Sequence, residues 1–122
     1  MIKIKDFDEK CMIIKIKGTN PSVYERVRGC WRISIDSANQ ADYVLAVVKG
    51  EVVGVYKPTQ WFLSCNTDIC QKNKCVPGRY PCKRIGFSGK EADTSIQKKY
   101  LHKFLPDWYM RPGPGPVLYT YK

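Results

Sequence analysis

Arginine is scarce in this chain and unevenly placed. Three of its six arginines, Arg26, Arg28 and Arg32, fall within VYERVRGCWRIS (23–34), while fifteen lysines are scattered along the rest. An Arg guanidinium is a planar fork that grips phosphate or carboxylate and stacks on rings; a Lys ammonium is a hydrated point charge. A local excess of Arg therefore marks a place where something anionic is held. Read as extended chain, residues 27–33 put Arg28, Cys30 and Arg32 on one face and Val27, Gly29, Trp31 and Ile33 on the other. Four residues of strand separate the two arginines by about 13 Å, a span suited to a ligand with more than one phosphate. The same forks pair equally well with the protein's own carboxylates, so an internal ion pair is the alternative.

RIGFSGKE (84–91) supplies a second set of parts. Arg84 adds charge, Phe87 a stacking face, and Gly86 and Gly89 allow close backbone approach. A β-bulge with Phe87 in the core is the competing reading. Trp31 and Trp61 are either core or base-stacking rings. Lys57 sits beside Pro58, where a strand end is expected to meet a loop, and small sites are commonly built at such ends. The expected ligand-binding set is Arg28, Trp31, Arg32, Lys57, Arg84 and Phe87.

Other reactive types combine less well. Cys65, Cys70, Cys75 and Cys82 lie within eighteen residues of polar, Pro- and Gly-containing sequence, read as a loop or insertion over about 64–83. Four thiolates can hold zinc, but paired C-x2-C knuckles are missing, so free thiols are expected and no metal is assigned. Cys11 and Cys30 occupy apolar or strand-like contexts and read as packing residues. His102, the sole histidine, lies off the apolar stripe of its helix and reads as surface. Asp42 and Glu51 flank a hairpin as nuclease carboxylates do, but Val53 takes the position where E-x-K needs its lysine. Asp8-Glu9-Lys10 offers D-x-K without an acidic strand before it. GVY (54–56) and RIG (84–86) echo the GIY-YIG nuclease strands with too long an insertion between them, and no Gly-rich phosphate loop is present. The expectation is a protein that is not an enzyme and needs no cofactor.

The elements that must position these residues follow from periodicity. IKIKDF and CMIIKIKG alternate with period two, as half-buried strands do. TNPSVYERV carries helix-start signals, with Asn20 as cap and Pro21 at the first helical position. YVLAVVKGEVVGVYK (43–57) is two β-branched runs around Lys49-Gly50, hence a hairpin whose unbroken first strand is central and whose second stops at Pro58. KRIGFSG resumes as strand. Ile96, Tyr100 and Phe104 form a helical stripe from Thr94, capped by Asp93 and ended before Pro106, and VLYTY closes the chain as a strand. The fold class is α+β: one domain (1–122), a mainly antiparallel sheet containing the hairpin, and two or three short helices.

A 122-residue chain of this composition can bury a single core. Its net charge of +10 favours anionic partners, nucleotides or nucleic acid among them, although a Lys-rich solvated surface would carry the same charge. No apolar run approaches the ~18 residues a membrane span needs, so no membrane partner is expected. The N-terminal sequence lacks a secretory apolar core, so the expected compartment is a reducing cytoplasm.

VYERVRGCWRIS, ADYVLAVVKGEVVGVY, RIGFSGKEA and GPVLYTY together resemble, in order and character, the small domain at the C-terminus of LEM-3-like GIY-YIG proteins. The expectation is a domain that stands alone, without the nuclease half. At this size the chain also resembles the phage Thoeris anti-defence proteins of the first type, which are non-enzymatic sponges for cyclic nucleotide immune signals. That resemblance implies sequestration of a cyclic ADP-ribose-isomer signal in an infected bacterial cytoplasm. It places Arg28, Trp31 and Arg32 in the family's R-G-x-W-R stretch, and Arg84 and Phe87 in its R-x-x-F stretch. Cys30 replaces an aromatic, and the Cys-rich insertion departs from the pattern. The expected partner is a small phosphorylated nucleotide. A nucleic-acid-binding module related to nuclease accessory domains is the alternative, and a homo-oligomer is compatible with either.

Overall fold

The computed structural model describes residues 3–5, 7–19, 22–29, 31, 33–63, 84–110 and 117–121. Within them the chain runs β1 (Cys11–Lys15), α1 (Val23–Val27), α2 (Ile35–Asn39), β2 (Tyr43–Val48), β3 (Glu51–Leu63), β4 (Ile85–Glu91), α3 (Thr94–Tyr100), a 3-10 turn (Asp107–Met110) and β5 (Val117–Tyr119). The strands form one sheet in the order β4-β3-β2-β1-β5. The fold is α+β, as the periodicity implied, and β2 is central. The sheet is mixed, however. β1 and β2 pair in parallel, Ile13 opposite Leu45, because α1 and α2 form a crossover between them; the other neighbours are antiparallel.

β2 reads YVLAVV and buries four consecutive residues because helices cover both faces of the sheet. On one face Ile13, Leu45, Val47, Val52 and Val55 pack under Tyr100 and Leu105. On the other, Met12, Ile14, Val44, Ala46, Tyr56 and Phe87 pack under Val27 of α1 and Ala38 of α2. The β2–β3 turn is Lys49-Gly50, both at positive φ (51° and 85°), as a two-residue hairpin requires.

Four local expectations are corrected. Residues 27–33 are not one strand: Val27 ends α1, Arg28 is its C-cap at φ −75°, ψ −5°, and only Trp31 runs beside Ile85. Arg28, held in a helical cap, therefore does not stand on an extended platform, and Arg32 lies outside the described residues. The cap of α1 is Ser22, whose Oγ accepts from the Glu25 N–H at 3.1 Å; Asn20 and Pro21 lie outside the described residues. β3 does not stop at Pro58. Pairing with β2 ends at Tyr56, so among the described residues Pro58 has a strand neighbour only on the β4 side, and a register slip between Pro58 and Gln60 absorbs its missing N–H. α3 ends at Tyr100, and Phe104 instead bridges Glu51 and Lys3, so the stripe keeps Ile96 and Tyr100 while Phe104 arrives by a separate turn.

Candidate functional site

α1 is a five-residue helix lying across β3 and β4, and the absence of a side chain at Gly54 makes that close approach possible. A Cβ on Gly54 would sit 2.8 Å from Val23 Cγ1 and 2.8 Å from Tyr56 Cε2, so only glycine lets α1 settle there. Tyr24 then reaches over the sheet, and its hydroxyl accepts the Gly89 N–H at 3.1 Å. Its ring lies 5.4 Å from Tyr56 and 6.2 Å, edge-on, from Phe87. Gly89 is equally constrained, because a Cβ there would meet Lys57 O at 2.5 Å and Pro58 Cα at 2.9 Å.

A groove of about 500 Å3 opens between α1, β3 around Tyr56 and the end of β4, lined by Ser22, Tyr24, Tyr56, Gly89, Lys90 and Glu91. A second hollow of about 360 Å3 continues it toward α3, sharing Tyr56 and Glu91 and adding Thr94 and Gln97. Gln97 is anchored by its amide Nε2, which donates to Ala92 O at 3.3 Å. Burial, with the charge of Glu91 and the neighbouring Tyr24 behind it, pushes the Tyr56 phenol above its usual range.

The six residues singled out from the sequence separate into distinct places. Arg28 is 13% exposed, and its Nε and Nη2 both donate to Glu25 Oε2, at 3.2 and 3.0 Å. Its guanidinium also lies 5.6 Å from the Tyr24 ring centroid, so it braces Tyr24 from outside the groove. This is the internal ion pair that the sequence left as the alternative. Trp31 is half-buried; its Nε1 donates to Val27 O at 2.6 Å and its backbone exchanges two hydrogen bonds with Ile85. Phe87 is fully buried between Tyr24 and Trp61, with no ring face left for a ligand, which corrects its stacking role to a packing one. Arg84 is half-buried where β4 begins, and Arg32 lies outside the described residues.

Lys57 is exposed and pairs across the strands with Lys90, so both side chains leave the same face of the sheet. From Arg84 to Lys90 is six residues of β4, about 20 Å, so Arg84 and Lys57 do not converge on one small phosphate. Sequence reasoning missed Tyr24, Tyr56, Lys90 and Glu91. One signal was available: Tyr24 and Arg28 are four apart, and on a helix that spacing stacks a cation against a ring.

The remaining sequence candidates have structural roles. Lys99 Nζ binds Asp8 at 2.6 Å and Glu9 at 3.1 Å, and the buried Tyr100 hydroxyl donates to Glu9. Burial would raise the Glu9 pKa, but the bonds from Tyr100 and Lys99 outweigh it and hold Glu9 below its usual range. His102 has a side chain 73% exposed and meets Glu51 at 3.2 Å. Cys11 is a buried packing thiol. Among the described residues no group of three or more His, Cys, Asp or Glu could hold a metal ion. Cys30, Cys65, Cys70, Cys75 and Cys82 lie outside them. No described helix is long and apolar enough to cross a membrane.

Comparison with protein-family models, with curated proteins and with solved structures found no match.

Proposed function

We propose that this protein is a non-enzymatic binding protein that sequesters a small phosphorylated nucleotide signal of the cyclic ADP-ribose-isomer class. The observation that carries the reading is the Tyr24–Tyr56 groove with Lys90 at its end. Its volume lies within the range of small-molecule sites, and it combines aromatic walls with a few polar groups. Tyr24 offers a ring for a base, Lys90 and its cross-strand partner Lys57 offer ammoniums for phosphate, and Glu91 accepts hydrogen bonds from hydroxyl or amino groups. Tyr56, whose phenol is held protonated by burial, suits a wall better than a general base. Arg28 acts through Tyr24 as a positioning residue. The resemblance to signal-sequestering phage proteins points to the same class of ligand.

The test is to incubate the protein with extract from signal-producing cells, re-purify it, release bound molecules by heat and identify them by mass spectrometry. A phosphorylated nucleotide should be recovered from the wild type. Lys90→Gln should lose it about thirtyfold in affinity, the equivalent of one charge-assisted contact of about 2 kcal/mol. The cross-strand lysines and the +10 charge favour nucleic acid as a second reading. Recovery of no small molecule, together with duplex DNA binding that weakens steeply with salt, would replace the first reading by the second.

A further inference from the structure

Beside the β2–β3 turn, a cavity of about 400 Å3 is lined by Lys15, Ile16, Val47, Lys49, Gly50 and Leu105. Its floor is apolar and firmly held: Val47 and Leu105 are buried, Ile16 N–H donates to Val47 O at 2.8 Å, and Leu105 N–H donates to Gly50 O at 2.9 Å. Among the described residues the ionisable groups on its wall are two lysines, and no described carboxylate lines it. Other lysines are engaged, Lys3 by Asp107 and Lys99 by Asp8 and Glu9, whereas Lys15 and Lys49 have no ion pair among the described residues.

The placement of Lys49 strengthens the point. It occupies the first central position of the hairpin turn at φ 51°, a left-handed conformation that Asn or Asp adopts more readily. A lysine there is a poor turn residue that sets an ammonium on the rim of an apolar cavity. Strained positions of this kind collect at ligand sites.

We propose that this cavity is a second binding site, for a phosphate monoester carrying a small apolar body. The body would rest on Ile16, Val47 and Leu105, and the phosphate would bridge Lys15 and Lys49. This cavity and the tyrosine groove share no lining residue, and Val47 and Leu105 pack in the core on one face of the sheet while Tyr24 and Tyr56 pack on the other, so the two sites are separate and either can fail without the other.

Phenyl phosphate is the probe, titrated into methyl-labelled full-length protein and followed by NMR, with inorganic phosphate and phenol as fragment controls. The methyls of Val47 and Leu105 should shift saturably, those of Val23 and Val53, which line the tyrosine groove, should not, and phenyl phosphate should bind more tightly than either fragment. Lys49→Asn should weaken binding about tenfold by removing one charge-assisted contact while leaving the turn intact, and Lys15→Gln should do the same. Lys49→Asn suits the turn conformation, so it should melt no lower than the wild type and remains decisive if Lys15→Gln folds poorly. Affinity within twofold of wild type in Lys49→Asn, equal binding of inorganic phosphate, or shifts confined to the Val23 and Val53 side would each overturn the proposal.

Discussion

Removing the Arg28 side chain separates the two roles that its sequence context allowed. In the structure one Glu25 carboxylate oxygen receives two N–H donors from a guanidinium that is 13% exposed and that also covers the Tyr24 ring. Hydrogen bonds to charged groups contribute about 1.5–3 kcal/mol, and partial exposure of Glu25 (27%) lowers that toward the surface-pair range. Arg28→Ala should therefore destabilise the fold by about 1–2 kcal/mol. For a domain of this size that is a fall of about 4–8 °C in Tm, measurable by calorimetry. Arg28→Lys keeps the charge but loses the fork, and should give about half the fall. A double-mutant cycle with Glu25→Gln should show the two residues coupled. Nucleotide affinity should drop only a few-fold, through the loosened Tyr24. A Tm within about 1 °C of wild type, accompanied by a thirtyfold loss of ligand, would refute the ion-pair reasoning and return Arg28 to direct phosphate contact.

Gly89→Ala should cost about 3 kcal/mol, because its Cβ would strike the backbone of Lys57 and Pro58, neither of which can swing aside; chemical denaturation measures it. Glu9, held below its ordinary 4.5, contributes stability that is fully present above that pH and lost as pH falls through the lower folded value. Glu9→Gln should accordingly flatten the acid limb of a Tm–pH profile below pH 4.5. Burial first, and the nearby Glu9 charge second, push the Cys11 thiol up to about 12. Peptide mapping should find Cys11 unalkylated by iodoacetamide at pH 8 in the folded protein and alkylated in denaturant.

The sequence alone determined those elements whose pattern records burial locally. Two β-branched runs around Lys49-Gly50 specified the hairpin, RIGFSG specified a strand, and the spacing from Ile96 to Tyr100 specified a helix, because side-chain periodicity is imposed residue by residue. Tertiary structure decided what depends on neighbours distant in sequence. The parallel pairing of β1 with β2 follows from a crossover that no local pattern encodes. Pro58 remains in a strand because β2 has ended by that point, leaving its ring facing no partner that needs a donor. Arg28 left the expected platform because Ser22 capped a helix through Val27, and Glu25, three residues back, then captured the fork. Phe87 was legible as an aromatic near a cation; that α1 would lay Tyr24 over it and seal it from solvent depended on Gly54 in β3, where a Cβ would strike Val23 of α1. The candidate groove is made by that docking, so its tyrosines became visible only when the chain was folded.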